Sequence, residues 1–319
     1  SRKEVNPYNE LLYLPVMVSP MDTVVDEKNY ELFEDNLIPV CMPRGHYDYP
    51  GTFKSISLDE FETYVNWYIE NENFGDVRIL VDIANGHISK LHKLCKKFVK
   101  NKKDKNHVLM VGNIANPKTY KELAKIGVDY VRVGIGGGSG CLTSANTGVH
   151  FPMASLIHEC YQYKKKGGYN TKIVADGGFR NYDDIIKAIM LGADYVMLGG
   201  ILNKCLESCS TTNLFGIPLS KGISKRIWNN HKWLRKYLKK SFRGMSTKEV
   251  QKKWGRENLK TSEGIVKTNP VEYTLGQWTE NFKDYLKSAM SYTNSKTLDE
   301  FRESEFVFIT ENALKRFNK

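Results

Sequence analysis

The segment Gly134-Ile135-Gly136-Gly137-Gly138-Ser139-Gly140-Cys141-Leu142-Thr143 sets a cysteine at the end of a glycine-rich loop, with a hydroxyl two residues further on. A thiolate needs approach space and nearby hydrogen-bond donors to react, and glycines leave the path and the backbone amides uncovered. Cys141 therefore reads either as a nucleophile or as a small buried cysteine after a flexible turn. The loop has no Gly-Lys-Ser/Thr, and Ser139 interrupts Gly-x-Gly-x-x-Gly, so neither nucleotide-loop pattern applies. Asp176-Gly177-Gly178 and Gly199-Gly200 end two successive apolar runs. Each could be a tight turn, but together they point to a ribose phosphate, held by backbone N–H groups and a carboxylate. Glu263, in Ser262-Glu263-Gly264, reads on its own as a solvated carboxylate. His46, His87 and His150 lie near run ends without the paired spacing of metal ligands.

These residues need a scaffold that brings the ends of many runs together. Short apolar runs recur at 14–19, 37–42, 77–83, 108–113, 130–135, 172–176 and 195–199, with a weaker one at 289–293. Segments of helical spacing separate most of them, including 88–99, 117–126, 153–164 and 182–191. The alternation predicts a parallel sheet covered on both faces. Eight strands in this length favour a closed (β/α)8 barrel over an open doubly wound sheet, with chemistry on the loops that follow the strands. The region from about 203 to 265 breaks the rhythm. It is expected to be a basic flap inserted after the seventh strand of a single catalytic barrel spanning 1–319, partly an amphipathic helix and too short for a core of its own.

Composition agrees with a folded enzyme. The chain has 319 residues, 41% hydrophobic and 26% charged, which excludes a disordered tail, a collagen-like fibre and a disulfide mini-protein. No stretch reaches the roughly 20 apolar residues of a membrane span, and Ser1-Arg2-Lys3-Glu4-Val5 has no apolar signal region. A soluble, cytoplasmic protein without a membrane partner is expected. Of the six cysteines only Cys205 and Cys209 are close, a spacing too sparse for a disulfide framework or a zinc site. The net charge is +11, and nine cations with no acid lie between Lys221 and Arg243. That run, interleaved with Trp228, Trp233 and Tyr237, could hold nucleic acid. A solvated helix or subunit-contact flap explains it more simply.

The ordered motifs Ser19-Pro20-Met21-Asp22-Thr23-Val24, the Gly134 to Thr143 loop, Thr147-Gly148-Val149-His150-Phe151-Pro152, Ala175 to Gly178, Val196 to Gly200, Gly244-Met245-Ser246 and Ser262-Glu263-Gly264 resemble the IMP dehydrogenase and GMP reductase superfamily of (β/α)8 barrels. The resemblance runs over nearly the whole chain. Only about 35 residues separate His46 from Val81, too few for the CBS modules usual in the dehydrogenases. Asp82-Ile83-Ala84-Asn85-Gly86 and Ser262-Glu263-Gly264 look like the reductase branch.

The resemblance implies NADPH-dependent reductive deamination of GMP to IMP and ammonia, a step of purine nucleotide interconversion. Cys141 would attack C2 of GMP to form a thioimidate, with Thr143 and Glu263 relaying the proton to ammonia. Substrate contacts would come from Met21, Asp176, Gly177, Gly178, Gly199, Gly200, Gly244, Met245, Ser246, Lys260, Ser262 and Gly264. Those to NADPH would come from Ser1, Arg2, Arg44, Asp82, Ile83, Ala84, Ile135 and Gly136, with Ser288 and Ser291 from a neighbouring subunit of a homotetramer. Carbonyls of Gly136, Gly138 and Cys141 would hold a potassium ion. The chain departs from the family loop at Gly137, Leu142 and Ser144, where Pro, Thr and Arg are usual, which puts cation binding and loop rigidity in question. Lys260 stands where Arg is usual. The alternatives are a CBS-less dehydrogenase oxidising IMP to XMP with NAD, and a non-catalytic nucleotide- or nucleic-acid-binding barrel.

Overall fold

The computed structural model describes residues 2–71, 75–138, 140–245, 247–253 and 264–310. Eight parallel strands form one sheet: β1 (Val16–Val18), β2 (Cys41–Met42), β3 (Phe53–Ile56), β4 (Val77–Asp82), β5 (His107–Ile114), β6 (Tyr130–Val133), β7 (Lys172–Asp176) and β8 (Tyr195–Leu198). Each neighbours the next in sequence, and β1 pairs with β8. A parallel bridge between Val18 and Val40 closes the ring, with the Val18 N–H donating to the Pro39 carbonyl at 2.9 Å. This is the expected (β/α)8 barrel.

Alternation along the strands divides its apolar residues into two sets. Val16, Val18, Ile79, Val81, Val131, Val133, Ile173, Ala175, Val196 and Leu198 pack outward with helix residues such as Leu91, Phe98, Tyr120, Ile185 and Phe282 in the main core. Met17, Cys41, Phe53, Leu80, Met110, Val174, Tyr195 and Met197 form a separate cluster that fills the barrel. Two residues beyond Leu80, Tyr130 and Val174 on the same parity come Asp82, Arg132 and Asp176. The barrel interior thus changes from apolar to ionic at its C-terminal mouth.

Two expectations need correction. The barrel strand outside the expected runs is β3, Phe53–Ile56, and 289–293 is the end of a helix, Leu275–Tyr292. That helix is started by a reciprocal cap between Thr274 and Gln277 and buries Leu275, Trp278, Phe282, Leu286 and Met290. Its 3.6-residue burial overrides the β-like composition of its last turn. The inserted segment accordingly follows the eighth strand, not the seventh.

The insertion also has more structure than expected. Strands β9 (Thr212–Leu214), β10 (Ile217–Leu219), β11 (Leu238–Arg243) and β12 (Val266–Pro270) make an antiparallel sheet in the order β10-β9-β11-β12, so it runs past 265. The basic run supplies the helix Lys221–Asn230 and the 3-10 turn Lys232–Tyr237. Trp228, Leu238 and Val271 form a small core with Leu206, Leu214, Leu219 and Ile227, contrary to the expectation of none.

Buried polar groups fasten this sheet to the barrel. Asn203 donates to the carbonyls of Thr23 (2.7 Å) and Ser241 (3.0 Å) and accepts from Asn269 (2.8 Å). Arg243 pairs with Asp22 in the loop after β1, with contacts of 3.2 and 2.5 Å. Lys240, 1% exposed, donates to the carbonyls of Ser208 (2.8 Å) and Ser210 (3.1 Å). Burial of its ammonium pulls the Lys240 pKa down to about 8, against smaller opposing effects from Cys209 and Glu207. No helix among the described residues is long and apolar enough to cross a membrane.

Candidate active site

The loops after β1, β4, β6, β7 and β8, together with the end of β11, enclose a cavity of about 370 Å³ at the C-terminal mouth. The sequence-predicted residues Met21, Arg44, Asp82, Ile83, Ala84, Ile135, Gly136, Gly138, Cys141, Thr143, Asp176, Gly177, Gly178, Gly199, Gly200, Gly244 and Met245 all line it. Segments separated by more than 220 residues in sequence converge because the closed sheet brings every strand end to one rim.

Cys141 is half-buried, and its thiol donates to the Thr143 hydroxyl at 3.2 Å. The loop that carries it is held from below and above. Below, Gly134 has φ +125°, and a Cβ there would overlap the Asp176 carbonyl. Above, a Cβ on Gly244 would overlap the Gly140 carbonyl. The Ile265 N–H donates to Gly140 at 3.1 Å, and Gly264 forms an antiparallel bridge with Cys141. Only glycine permits these two backbone approaches. Burial raises the other thiols: Cys95 to about 12, Cys41 and Cys160 higher, and Cys205 well above its ordinary value. Cys209, near the insertion, is likewise pushed up to about 12.

The cavity floor carries an ionic group that sequence reading missed. Arg132, 5% exposed, contacts Asp82 through Nη2 and lies 3.7 Å from Asp176 through Nε. Arg44 reaches Asp82 at 3.4 Å, and the Asn113 side-chain amide donates to Asp176 at 2.9 Å and to the Gly134 carbonyl at 2.6 Å. Burial by itself would raise the Asp82 pKa, but Arg132 and Arg44 outweigh it and hold the carboxyl below its ordinary value. At Asp176 burial prevails over Arg132 and Asn113 and the pKa is raised. The two carboxylates face one guanidinium yet differ in proton affinity, because among the described residues only Asp82 has a second cation, Arg44. Arg132 gave little signal in sequence: it is one cation in an otherwise apolar strand, and only its matching parity with Asp82 and Asp176 could have marked it. Phe179 and Phe242, also unpredicted, complete the apolar wall.

The Asn113 Oδ1 is a buried acceptor in this wall with no hydrogen-bond partner among the described residues. An acceptor left in this way beside Asp176 suits a hydroxyl-bearing ligand such as a ribose.

Some predicted residues are placed elsewhere. Arg2 lies in a 3-10 turn, Arg2–Glu4, that packs on the helix Leu275–Tyr292, and that helix bears Ser288 and Ser291. All three are outside the cavity lining; Ser288 donates to the Asp284 carbonyl at 2.8 Å. Ser1, Ser246, Lys260, Ser262 and Glu263 lie outside the described residues. Two of the three cation carbonyls are engaged internally: Gly136 accepts the Ser144 hydroxyl at 3.0 Å and Gly138 accepts the Cys141 N–H at 2.9 Å.

Residues 71–318 match the model of the IMP dehydrogenase / GMP reductase domain. A GMP reductase of Caenorhabditis elegans is 28% identical over 318 residues, covering 93% of this chain and 82% of that protein. GMP reductase 2 of Homo sapiens is 31% identical over 238 residues, 73% of this chain and 61% of that protein. An inosine-5'-monophosphate dehydrogenase of Borreliella burgdorferi is 31% identical over 277 residues, 83% of this chain and 62% of that protein.

Proposed function

The chain belongs to the IMP dehydrogenase and GMP reductase family of oxidoreductases, and we propose that within it the protein is a GMP reductase, converting GMP to IMP and ammonia at the expense of NADPH. The observation that carries this reading is the Cys141 thiol 3.2 Å from the Thr143 hydroxyl, on the same cavity as Asp176 and the two diglycine turns.

The chemistry follows from those positions. The Cys141 sulfur, as thiolate, adds to C2 of the guanine ring, and the C2–N bond to the exocyclic amine breaks. The departing nitrogen needs a proton, for which Thr143 is the nearest described hydroxyl; Glu263, adjacent to the Gly264 that pairs with Cys141, is the carboxylate proposed to recharge it. The base remains bound as a thioimidate on Cys141. The nicotinamide, when bound, would supply one hydride to C2; the C–S bond to Cys141 then breaks and the sulfur leaves as thiolate. Dividing the substitution in this way lowers each barrier separately.

Positioning comes from the rim. Asp176 and the free acceptor of Asn113 would hold the ribose hydroxyls, Gly177, Gly178, Gly199 and Gly200 the phosphate, and Gly244 and Met245 the base edge. The nicotinamide and its ribose would occupy the side walled by Arg44, Asp82, Ile83, Ala84, Ile135 and Gly136. The residues present fit this group, since that wall offers both an ionised carboxylate and apolar contact. They fit a potassium ion less well, because Ser144 and the Cys141 amide already engage two of its carbonyls. No step is assigned to a cation.

Incubation with GMP and NADPH tests the proposal. Loss of reduced-nicotinamide absorbance with release of ammonia is the expected result. Reduction of NAD by IMP, with no turnover of GMP, would instead assign the dehydrogenase reaction.

A further inference from the structure

We propose that the outer surface of the insertion docks the protein onto an anionic lipid bilayer. From residue 208 to 248 the chain contains no Asp or Glu. Lys221, Lys225, Arg226, Lys232, Lys236 and Lys239 are exposed, and among the described residues none has an ion-pair partner. The same elements expose large apolar side chains. Phe215 and Ile217, at the tip of the β9–β10 hairpin, are 67% and 66% exposed, Trp233 is 67% exposed, and Ile223 is more than half exposed.

Contacts join these groups into one surface. Phe215 packs on Tyr237 with ring centroids 4.9 Å apart, and the Lys236 ammonium lies 4.9 Å from the Tyr237 ring. Lys239 pairs with Asn213 across β11 and β9, and the helix Lys221–Asn230 packs on the turn Lys232–Tyr237. The small core beneath, with Trp228 under the Arg235 guanidinium at 4.7 Å, fixes the hairpin, helix and turn to each other.

Apolar side chains at a loop tip surrounded by cations fit the boundary between lipid headgroups and acyl chains. The apolar groups enter, while lysines remain level with anionic headgroups. Other occupants fit less well. Single-stranded nucleic acid needs a series of free aromatic faces, but the Phe215 and Tyr237 rings are tilted against each other and Trp228 is buried, while Ile217 and Ile223 cannot stack on bases. A second copy presenting the same surface would set six unpaired cations against six more. A surface contact of this type needs no membrane-spanning helix.

The test is co-sedimentation of the full chain with phosphatidylcholine vesicles, with and without phosphatidylserine, at two ionic strengths. The protein is expected to pellet with phosphatidylserine vesicles at low salt and be released by high salt. The pair Lys225→Glu and Lys236→Glu should lower partitioning at least tenfold, since each cation lost costs roughly fivefold. Phe215→Ser with Ile217→Ser should also lower it about tenfold or more at constant charge, because less apolar surface enters the bilayer. Unchanged secondary structure and turnover would show that both variants fold, as none of these residues lines the active-site cavity. Failure to pellet with anionic vesicles at low salt would overturn the proposal, as would pelleting indifferent to the two apolar changes. Retention of a polyuridylate strand, or a shift of oligomeric state in the variants, without vesicle binding would reassign the surface to nucleic acid or to a subunit contact.

Discussion

The Arg132 guanidinium, on β6, is buried between the carboxylates of Asp82 on β4, two strands away, and of Asp176 on the adjacent β7. It is the cation shared by the two carboxylates, with Arg44 beside Asp82 as a second. Removing one partner of such a group leaves buried charge uncompensated. Arg132→Met is expected to destabilise the protein by about 3–5 kcal/mol, read from the midpoint of urea unfolding. Adding Asp82→Asn should restore part of the loss; an unchanged or lower midpoint in the double variant would show that Asp82 is not the carboxylate that Arg132 neutralises.

Cys141→Ala should reduce turnover of GMP by roughly a thousandfold or more while leaving GMP binding near its original affinity, since the methyl group cannot form the covalent bond but Asp176 and the diglycine turns remain. Equilibrium binding and steady-state rates separate the two effects. Intact-mass measurement during turnover should show a purine adduct on the wild-type chain and none on the variant.

Thr143→Val removes the hydroxyl that accepts the Cys141 thiol proton. We expect kcat to fall by about 10²–10⁴, the usual contribution of a positioned proton-transfer group, with little change in KM. Thr143→Ser should recover most of the rate. Equal losses in the Val and Ser variants would assign Thr143 a packing role instead.

Lys240 gives a pH dependence whose sign is fixed. Its folded pKa, about 8, lies below the unfolded value of 10.5. Below pH 8 the ammonium is charged in both states and the folded chain bears the cost of burying it. Between about 8 and 10.5 the folded state releases its proton first, so the unfolded state binds more protons and this group's contribution to stability rises with pH. The gain amounts to roughly 3 kcal/mol by the upper limit. Ionisation of Cys95 and Cys209 at high pH acts in the opposite direction, because their raised values favour the neutral folded form. The measurement is therefore the difference in unfolding free energy between wild type and Lys240→Met, which should grow in favour of wild type across this window. A constant difference would place the Lys240 pKa at its ordinary value.

Much of the site could be read in sequence because its parts are contiguous. The loop ending at Cys141, the Asp176-Gly177-Gly178 turn and the Gly199-Gly200 pair each occupy a few adjacent residues, and the β-α rhythm implied that they share a rim. Arg132 and Phe242 were not legible, since their roles arise from strand parity and from a sheet that folds back over the barrel. Phe53–Ile56 was missed because four residues containing Lys54 and Ser55 make a weak apolar run. The stretch 289–293 reads as a strand because its β-like composition hides the helical period set by Trp278, Phe282, Leu286 and Met290. The insertion's own sheet escaped notice for a related reason: the density of cations masks the alternation of Leu238, Lys240 and Phe242 toward the interior.

Because Leu80 and Asp82, Tyr130 and Arg132, and Val174 and Asp176 share one face of their strands, the packing of the barrel and its ionic mouth are written in a single frame. A one-residue insertion or deletion within β4, β6 or β7 would send the charged member toward the helices and bring an outer valine or isoleucine into the cavity. Such a change cannot trade activity against stability; it loses both together. The tolerant places for lengthening this chain are therefore the turns between strands, as the sheet inserted after β8 already demonstrates.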